Sequence, residues 1–209
     1  PKASSRCQIA VMGVMIGHPE ILEVIMGLYS PLGEAFSIPE GVAYFNQAYM
    51  SPQLPSLTAA GTQAMRAKEH PWEIPASAFF DPVESLREEV ASLIHTTRET
   101  ISLIPSVSYG VSWAAGALPS KDSGQILLLS EQFPSNVYPW RARASRTGES
   151  VTMVSKIPGQ IWTEAVLNAI TSETSIVAIP GCHWSDGSRA DLTVIRQATA
   201  QVGAALVLD

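Results

Sequence analysis

Short apolar segments alternate with amphipathic segments along the second half of the chain. Strands that are apolar at nearly every position are covered on both faces of a sheet. Segments with helical spacing separate these runs, which predicts right-handed crossovers and a mostly parallel sheet. The pattern therefore predicts a three-layer α/β/α domain. The four predicted strands are "QILLL" (125–129), "SVTMV" (150–154), "TSIVAIP" (174–180) and "AALVLD" (204–209).

Helical spacing and capping residues predict six helices around these strands. A further apolar segment, "TISLIPS" at 100–106, predicts a short strand before the third of them. Because "AALVLD" places a core strand at the end of the chain, we expect residues 42–209 to form a large domain that is incomplete at its C-terminus, after an N-terminal arm at 1–41. The predicted helices span 54–70, 81–97, 108–118, 136–146, 163–171 and 191–203.

Composition excludes several classes of protein. The 209 residues are 46% hydrophobic and 15% charged, which is typical of a folded, water-soluble domain. A net charge of -6 without a basic cluster argues against nucleic-acid binding. The apolar stretch near the start is far shorter than the about 20 residues that cross a bilayer, so no membrane partner is expected. Two distant cysteines form no metal-ligand spacing and predict a reducing compartment, the cytoplasm.

Polar and aromatic residues follow the predicted strands, where an open parallel sheet binds its ligands. Ser106 and Ser108 stand at a predicted helix start, where free amides and the helix dipole favour a phosphate, although either serine could simply cap the helix. Phe133 follows the strand at 125–129 and offers either a ligand-facing ring or a core residue. Asp209 ends an apolar strand, where a carboxylate requires a cation or a hydrogen-bond donor.

Taken together, these features describe a pocket for pyridoxal phosphate. The pocket needs an anion site for the phosphate, an aromatic face for the ring, and a carboxylate for the pyridine nitrogen. In such sites the aspartate keeps the nitrogen protonated, so that the ring can act as an electron sink. A Rossmann-type nucleotide domain is disfavoured, because no G-x-G-x-x-G follows a strand.

Four stretches resemble the class V aminotransferase group of fold-type I pyridoxal-phosphate enzymes, which includes cysteine desulfurases and isopenicillin N epimerase-like proteins. The resemblance implies the large domain of the pyridoxal-phosphate-dependent transferase fold, a homodimer, and an amino acid or amine as substrate. The stretches are "VAYFNQAYMSP" (42–52), "IPSVSYGVSWAA" (104–115), "SEQFPSNVYPWRARASRTG" (130–148) and "PGCHWSDGSRADLTVIRQATAQVGAALVLD" (180–209).

The resemblance also implies the contacts to the cofactor. Phe133 would stack on the pyridine ring, at a position where many members have histidine. Ser108, with the backbone amide of Val107, would bind the phosphate, and Asp209 would be the catalytic residue that pairs with the pyridine nitrogen.

Three further positions follow from the same alignment. The family's asparagine near the phenolic oxygen falls at Ser185 or at Asp186, depending on where a gap is placed, and a carboxylate there would repel a phenolate unless it is protonated or turned away. Asn46 and Ala48 would lie on the substrate side of the site.

The resemblance places the Schiff-base lysine about two dozen residues beyond Asp209, whereas the lysines of this chain all precede it. We therefore expect a piece of an enzyme that is inactive alone. The whole protein would catalyse transamination, elimination or desulfuration, or epimerisation, which share this half of the site. The alternative is a degenerate, non-catalytic member that keeps the fold and binds a phosphate ligand or only a partner.

Overall fold

A computed structural model describes residues 8–10, 36–39 and 41–209, and the chain divides into two units between Leu86 and Arg87. Most of the predicted arm at 1–41 lies outside the described residues. The first unit contains a parallel pair of short strands followed by helices and three 3-10 turns. Its elements are β1 (Gln8–Ala10), β2 (Val42–Tyr44), α1 (Gln47–Met50), α2 (Pro55–Arg66) and the turns Ala67–Glu69, Pro71–Glu73 and Ala76–Phe79. The boundary between the units falls within α3 (Asp81–Leu93).

The second unit is built on a four-stranded sheet with the order β4-β3-β5-β6, in which every neighbouring pair is parallel. Its strands are β3 (Gln125–Leu129), β4 (Ser150–Val154), β5 (Thr174–Ile179) and β6 (Ala205–Leu208). Its helices are α4 (Val107–Ala117), α5 (Tyr138–Thr147), α6 (Trp162–Ala169) and α7 (Leu192–Gln201). Among the described residues, no helix is long and apolar enough to cross a membrane.

The two faces of the sheet bury different residues of the same strands. Leu127 and Leu129 of β3 pack with Trp162 and Val166 of α6 and with Ile195 of α7. On the opposite face, alternate residues of β3 and β5 pack against α4 and α5; this cluster contains Val111, Ala115, Ile126, Leu128, Val137, Trp140, Ile176 and Ala178. Because both faces are covered, β3 after Gln125 and β5 after Ser175 are apolar at every position. The predicted three-layer α/β/α arrangement is confirmed.

The predicted strand at 100–106 is wrong. Arg98–Thr100 forms a 3-10 turn, and residues 101–106 have no regular structure. No described strand lies beside this segment to supply the hydrogen bonds of a ladder. The Arg87 guanidinium instead donates to the carbonyl oxygens of Arg98 (2.8 Å) and Ile101 (2.9 Å). An apolar, β-branched sequence forms a strand only where a neighbour pairs with it.

The direction in which the chain adds successive strands to the sheet reverses between β3 and β5. From β3 the chain moves to β4 on one side, then crosses back to β5 and β6 on the other side. The loops that leave β3 and β5 therefore diverge at the carboxyl end of the sheet, where such sheets bind ligands. Helix α4 runs down to the start of β3, so its N-terminus lies at this same end.

Candidate functional site

The structure brings the predicted cofactor-binding positions to one end of one sheet. Val107 and Ser108 begin α4, and Phe133 lies in the loop after β3. Asp209 directly follows β6, and the remaining two positions, Ser185 and Asp186, lie in the loop after β5.

The two substrate-side positions belong to the first unit. Asn46 lies in the short connection after β2, directly before α1, and its side chain does not cap that helix. Ala48 lies within α1.

The sequence left Ser106 and Ser108 as alternatives for the residue that caps α4, and the structure distinguishes them. The Ser106 hydroxyl accepts a hydrogen bond from the Tyr109 amide (3.2 Å), so Ser106 is the capping residue. The first intrahelical bond joins the Gly110 amide to the Ser106 carbonyl (3.1 Å). The amides of Val107 and Ser108 precede that bond, as is usual for a first helical turn, and can donate to an anion.

The loop after β3 presents Phe133 in a fixed setting. Its amide donates to the side-chain oxygen of Gln132 (3.0 Å). The half-buried Phe133 ring meets the Trp184 ring edge to face, with centroids 5.5 Å apart at 86°. Glu131, two residues earlier, has a φ of 55°, a left-handed conformation that is unfavourable for a residue with a Cβ.

Two buried amide donors lie on either side of Phe133 along the chain. Gln132 Nε2 and Asn136 Nδ2 have no hydrogen-bond acceptor within the part of the chain that the structure describes. Asn136 does accept a hydrogen bond at its other amide atom, Oδ1, from Trp140 Nε1 (2.8 Å). Buried donors without acceptors are rare and costly, so this loop is suited to an oxygen-bearing ligand.

In the loop after β5, Asp186 is turned toward other parts of the protein. Its Oδ1 accepts hydrogen bonds from the Ser188 hydroxyl (2.6 Å) and amide (2.9 Å). Its Oδ2 lies 3.1 Å from Lys156 Nζ. The bonds from Ser188, and then the one from Lys156, hold the pKa of Asp186 well below its usual range. Asp186 is therefore an ionised carboxylate with a cationic partner.

Lys156 also lies at this end of the sheet, although no sequence motif indicated it. It lies two residues after β4, at the carboxyl end of the sheet, and that position was the available signal. Besides Asp186, its ammonium group contacts the Ser188 hydroxyl (3.2 Å) and lies 4.7 Å from the centre of the Trp162 ring. Lys156 thus links the loop after β4 to the loop after β5.

Asp209 is exposed at the end of β6, where its amide donates to the Ile179 carbonyl (3.2 Å). Partial desolvation raises the pKa of its carboxyl above the ordinary value. Asp209 borders a cleft that is also lined by Gly181, Cys182 and Arg189.

The strand order sets the separation of these groups along the end of the sheet. Phe133 follows β3 and Asp209 follows β6, two strands away in the sheet. Neighbouring strands lie about 4.8 Å apart, so the ends of β3 and β6 are about 10 Å apart. An aromatic ring, a carboxylate and a helix N-terminus are thereby grouped at one end of the sheet.

Several solved structures have the same fold as this chain. The Escherichia coli cysteine desulfurase CsdA superposes with a TM-score of 0.72 at 18% identity, over 87% of this chain and 48% of that one. The cystine C–S lyase C-DES, in complex with its product cysteine persulfide, gives 0.70 at 19% identity, over 79% of this chain and 46% of that one. A C-DES mutant with glycine covalently linked to its PLP cofactor gives 0.69 at 18% identity, with the same coverage.

Two curated proteins are similar in sequence. An uncharacterized aminotransferase, YcbU, of Bacillus subtilis is 26% identical over 129 residues, which are 62% of this chain and 34% of that protein. A probable cysteine desulfurase of Mycoplasma genitalium is 26% identical over 99 residues, which are 46% of this chain and 24% of that protein. The chain therefore spans about a third or less of the length of these relatives.

The model of the class-V aminotransferase family matches residues 70–209. This range includes the whole parallel sheet and every predicted cofactor contact from Val107 to Asp209. The likeness of fold and the match in sequence agree, and the chain belongs to the class-V aminotransferase family.

Proposed function

We propose that the protein containing this chain is a pyridoxal-phosphate-dependent enzyme that acts on an α-amino acid or a related amine. The observation that carries the proposal is the position of Phe133 and Asp209 at the carboxyl end of one sheet, in a chain of the class-V family. Bound there, the cofactor would supply an electron sink for negative charge that develops next to the amino group.

Phe133 and Asp209 would hold the ring of the cofactor. The exposed part of the Phe133 ring offers a flat surface for stacking, while the edge-to-face contact with Trp184 limits its rotation. The Asp209 carboxylate would accept a hydrogen bond from the protonated pyridine nitrogen. The protonated pyridine nitrogen, as a hydrogen-bonded cation, would favour the ionised form of the Asp209 carboxyl. It would therefore oppose the rise in the pKa of Asp209 that desolvation causes.

The phosphate would bind at the start of α4. The amides of Val107 and Ser108 and the Ser108 hydroxyl can all donate to phosphate oxygens, and the helix dipole favours the negative charge there. The unpaired amide donors of Gln132 and Asn136 support the assignment of a ligand rich in oxygen atoms to this end of the sheet.

Ser185 is the better of the two candidates for the phenolic oxygen of the cofactor. Asp186 is ionised and already bound by Ser188 and Lys156, and a carboxylate has no proton to donate. The Ser185 hydroxyl, while it donates to His183 Nδ1 (2.8 Å), can still accept a hydrogen bond from the phenolic hydroxyl of the cofactor. We also propose that Asn46 and Ala48 contribute to the substrate side, that the whole protein acts as a homodimer, and that it works in the cytoplasm.

Cofactor binding in the whole protein tests this proposal. We expect added pyridoxal phosphate to give a visible absorption band, and borohydride to fix the chromophore to one lysine outside residues 1–209. Lys156→Arg is the matched control, because Lys156 is held by Asp186 and Ser188, and the modified peptide should be unchanged in that variant.

Turnover then separates the enzyme from the degenerate alternative. A panel of amino acids should yield a product of one reaction type: an oxo acid, ammonia, sulfide or the opposite enantiomer. A protein that binds the chromophore, shows no turnover, and has no lysine to which borohydride attaches the cofactor would favour the degenerate member of the fold. A whole protein that binds no pyridoxal phosphate would contradict both.

A further inference from the structure

His183 is a buried imidazole that the proposed cofactor contacts do not use. Only 2% of the residue is exposed. Its ring stacks on the Trp162 ring, with centroids 5.1 Å apart and planes 18° apart. A buried imidazole requires a hydrogen-bond partner at each nitrogen, and these partners determine which nitrogen carries the proton.

The hydrogen-bond partners of His183 place a hydrogen on Nε2. Nε2 lies 3.0 Å from the carbonyl oxygen of Ser130, which can only accept, so Nε2 carries the hydrogen. Nδ1 then accepts from the Ser185 hydroxyl (2.8 Å) and, more weakly, from the Ser185 amide (3.4 Å). His183 therefore links the loop after β5 to the loop after β3 by a hydrogen bond, at the point where the order of strands along the chain reverses.

The next residue, Trp184, adds a second hydrogen bond between the same two loops. Trp184 Nε1 donates to the carbonyl oxygen of Glu131 (2.6 Å), so two consecutive residues of one loop bind two consecutive carbonyls of the other. Glu131 is the residue with the left-handed φ of 55°. The two hydrogen bonds hold this unfavourable backbone conformation, and they fix the direction in which the chain enters Phe133.

We propose that His183 is a positioning residue for Phe133: through its Nε2–H bond to Ser130 it sets the loop that presents the stacking ring to the cofactor. This inference rests on the proposed function. His183 does not touch the cofactor in this account and acts only through the backbone of residues 130–133. The indole of Trp184 supports the same loop from the side.

Two substitutions separate this role from mere packing. His183→Leu fills much of the volume but removes both hydrogen bonds. His183→Gln places an amide N–H near the position of Nε2 and can restore the bond to Ser130. In the whole protein, we expect His183→Leu to weaken pyridoxal-phosphate binding about tenfold, the effect of one lost hydrogen bond, and His183→Gln to recover most of it. The visible circular dichroism of the bound cofactor should change in His183→Leu and return in His183→Gln.

The control for a general loss of stability is Glu149→Gln, which disturbs a buried ion pair elsewhere in the same unit. It should lower the melting temperature without changing the circular dichroism of the cofactor. If His183→Leu does not fold, Trp184→Phe takes its place, because it removes the bond to Glu131 from an exposed residue and keeps an aromatic ring beside Phe133. It should change the same dichroic band.

A cofactor-free measurement tests the tautomer directly. The nitrogen NMR shifts of His183 in the apoprotein should identify Nε2 as the protonated nitrogen. Protonation at Nδ1 instead would overturn the inference, as would wild-type binding and dichroism in His183→Leu or a failure of His183→Gln to improve on it. Absence of pyridoxal-phosphate binding in the wild-type protein would overturn the proposed function as well, so the two failures are distinguishable.

Discussion

The two ends of the parallel sheet each carry an ion pair, and the pairs differ in burial. At the amino end, Arg143 Nε and Glu149 Oε2 are 2.7 Å apart, and the two side chains are 2% and 0% exposed. At the carboxyl end, Lys156 Nζ and Asp186 Oδ2 are 3.1 Å apart, and the side chains are 26% and 45% exposed. A buried pair must have all its hydrogen bonds satisfied by protein, whereas an exposed pair can share them with water or a ligand.

The amino end is complete in itself. Arg143 also donates to carbonyl oxygens of Ala115 (2.9 Å), Leu118 (2.7 Å) and Pro119 (2.8 Å), which closes the C-terminus of α4. Glu149 accepts further bonds from the hydroxyls of Thr147 and Ser175, both part of the same network. This network binds α4, α5 and the starts of β4 and β5 into one unit, so its role is stability.

The carboxyl end has fewer of its polar groups satisfied by protein. Gln132 and Asn136 keep donors without acceptors in the described part of the chain, and Glu131 holds a left-handed backbone conformation. Proteins accept such costs mainly at functional sites. The two ends of one sheet thus differ: the amino end carries a closed, buried polar network, and the carboxyl end, where we propose that the cofactor binds, carries exposed polar groups and an unfavourable backbone conformation.

The largest expected effect is on stability, at the amino end. Arg143→Met should lower the free energy of unfolding by about 3–5 kcal/mol, because it leaves Glu149 buried without its cation. Denaturant unfolding of the whole protein measures the change. Lys156→Met is the matched control at the carboxyl end and should alter stability much less, since that pair is largely solvated. Equal losses in the two variants would remove the distinction between the ends.

The next effect is on turnover, at the carboxyl end. Asp209→Ala should leave some cofactor bound but lower kcat about 10²–10³-fold, because the pyridine nitrogen loses the charge that stabilises its protonated form. Asp209→Asn, which keeps the shape and removes the charge, should behave alike. Wild-type turnover in either variant would refute the assignment.

A smaller effect is expected on retention of the cofactor. Phe133→Ala should weaken binding of pyridoxal phosphate by about 1–3 kcal/mol, through the loss of the stacking surface. Equilibrium dialysis of the whole protein measures the dissociation constant. Phe133→Tyr keeps the ring and serves as the control. Unchanged retention in Phe133→Ala would make Phe133 a packing residue of the loop.

The smallest effect is a dependence of stability on pH at the amino end. Desolvation alone would raise the pKa of Glu149, but hydrogen bonds from Arg143, Ser175 and Thr147 outweigh it and lower the pKa below the ordinary 4.5. A lowered pKa in the folded state contributes stability above pH 4.5 and loses it as the pH falls through the folded value. The difference in unfolding free energy between wild type and Glu149→Gln should therefore narrow in acid, and a constant difference from pH 7 to pH 3 would contradict this account.

The bounds of a strand could be predicted from the sequence where helices of the same unit bury the apolar residues of that strand. The strands at 125–129 and 150–154 have the predicted bounds, because both faces of the sheet are covered by helices of the same unit. The segment at 100–106 was mispredicted, because pairing of a strand depends on a neighbour that local sequence does not reveal.

The site was predictable only in part, for a related reason. Rules for parallel sheets placed Phe133 and Asp209 at the carboxyl end of the sheet, because Phe133 lies in the loop after β3 and Asp209 directly follows β6. The bond between His183 and Ser130 joins residues that are 53 positions apart, and the pair of Lys156 and Asp186 spans 30 positions. No local pattern reports which of several polar residues in neighbouring loops will meet.

The most direct test of the central claim is a crystal structure of the whole protein with pyridoxal phosphate. The account predicts the pyridine ring stacked on Phe133, its nitrogen within hydrogen-bond distance of Asp209, and its phosphate at the first turn of α4. A cofactor bound away from the carboxyl end of the sheet, or with its nitrogen facing a residue other than Asp209, would contradict the account.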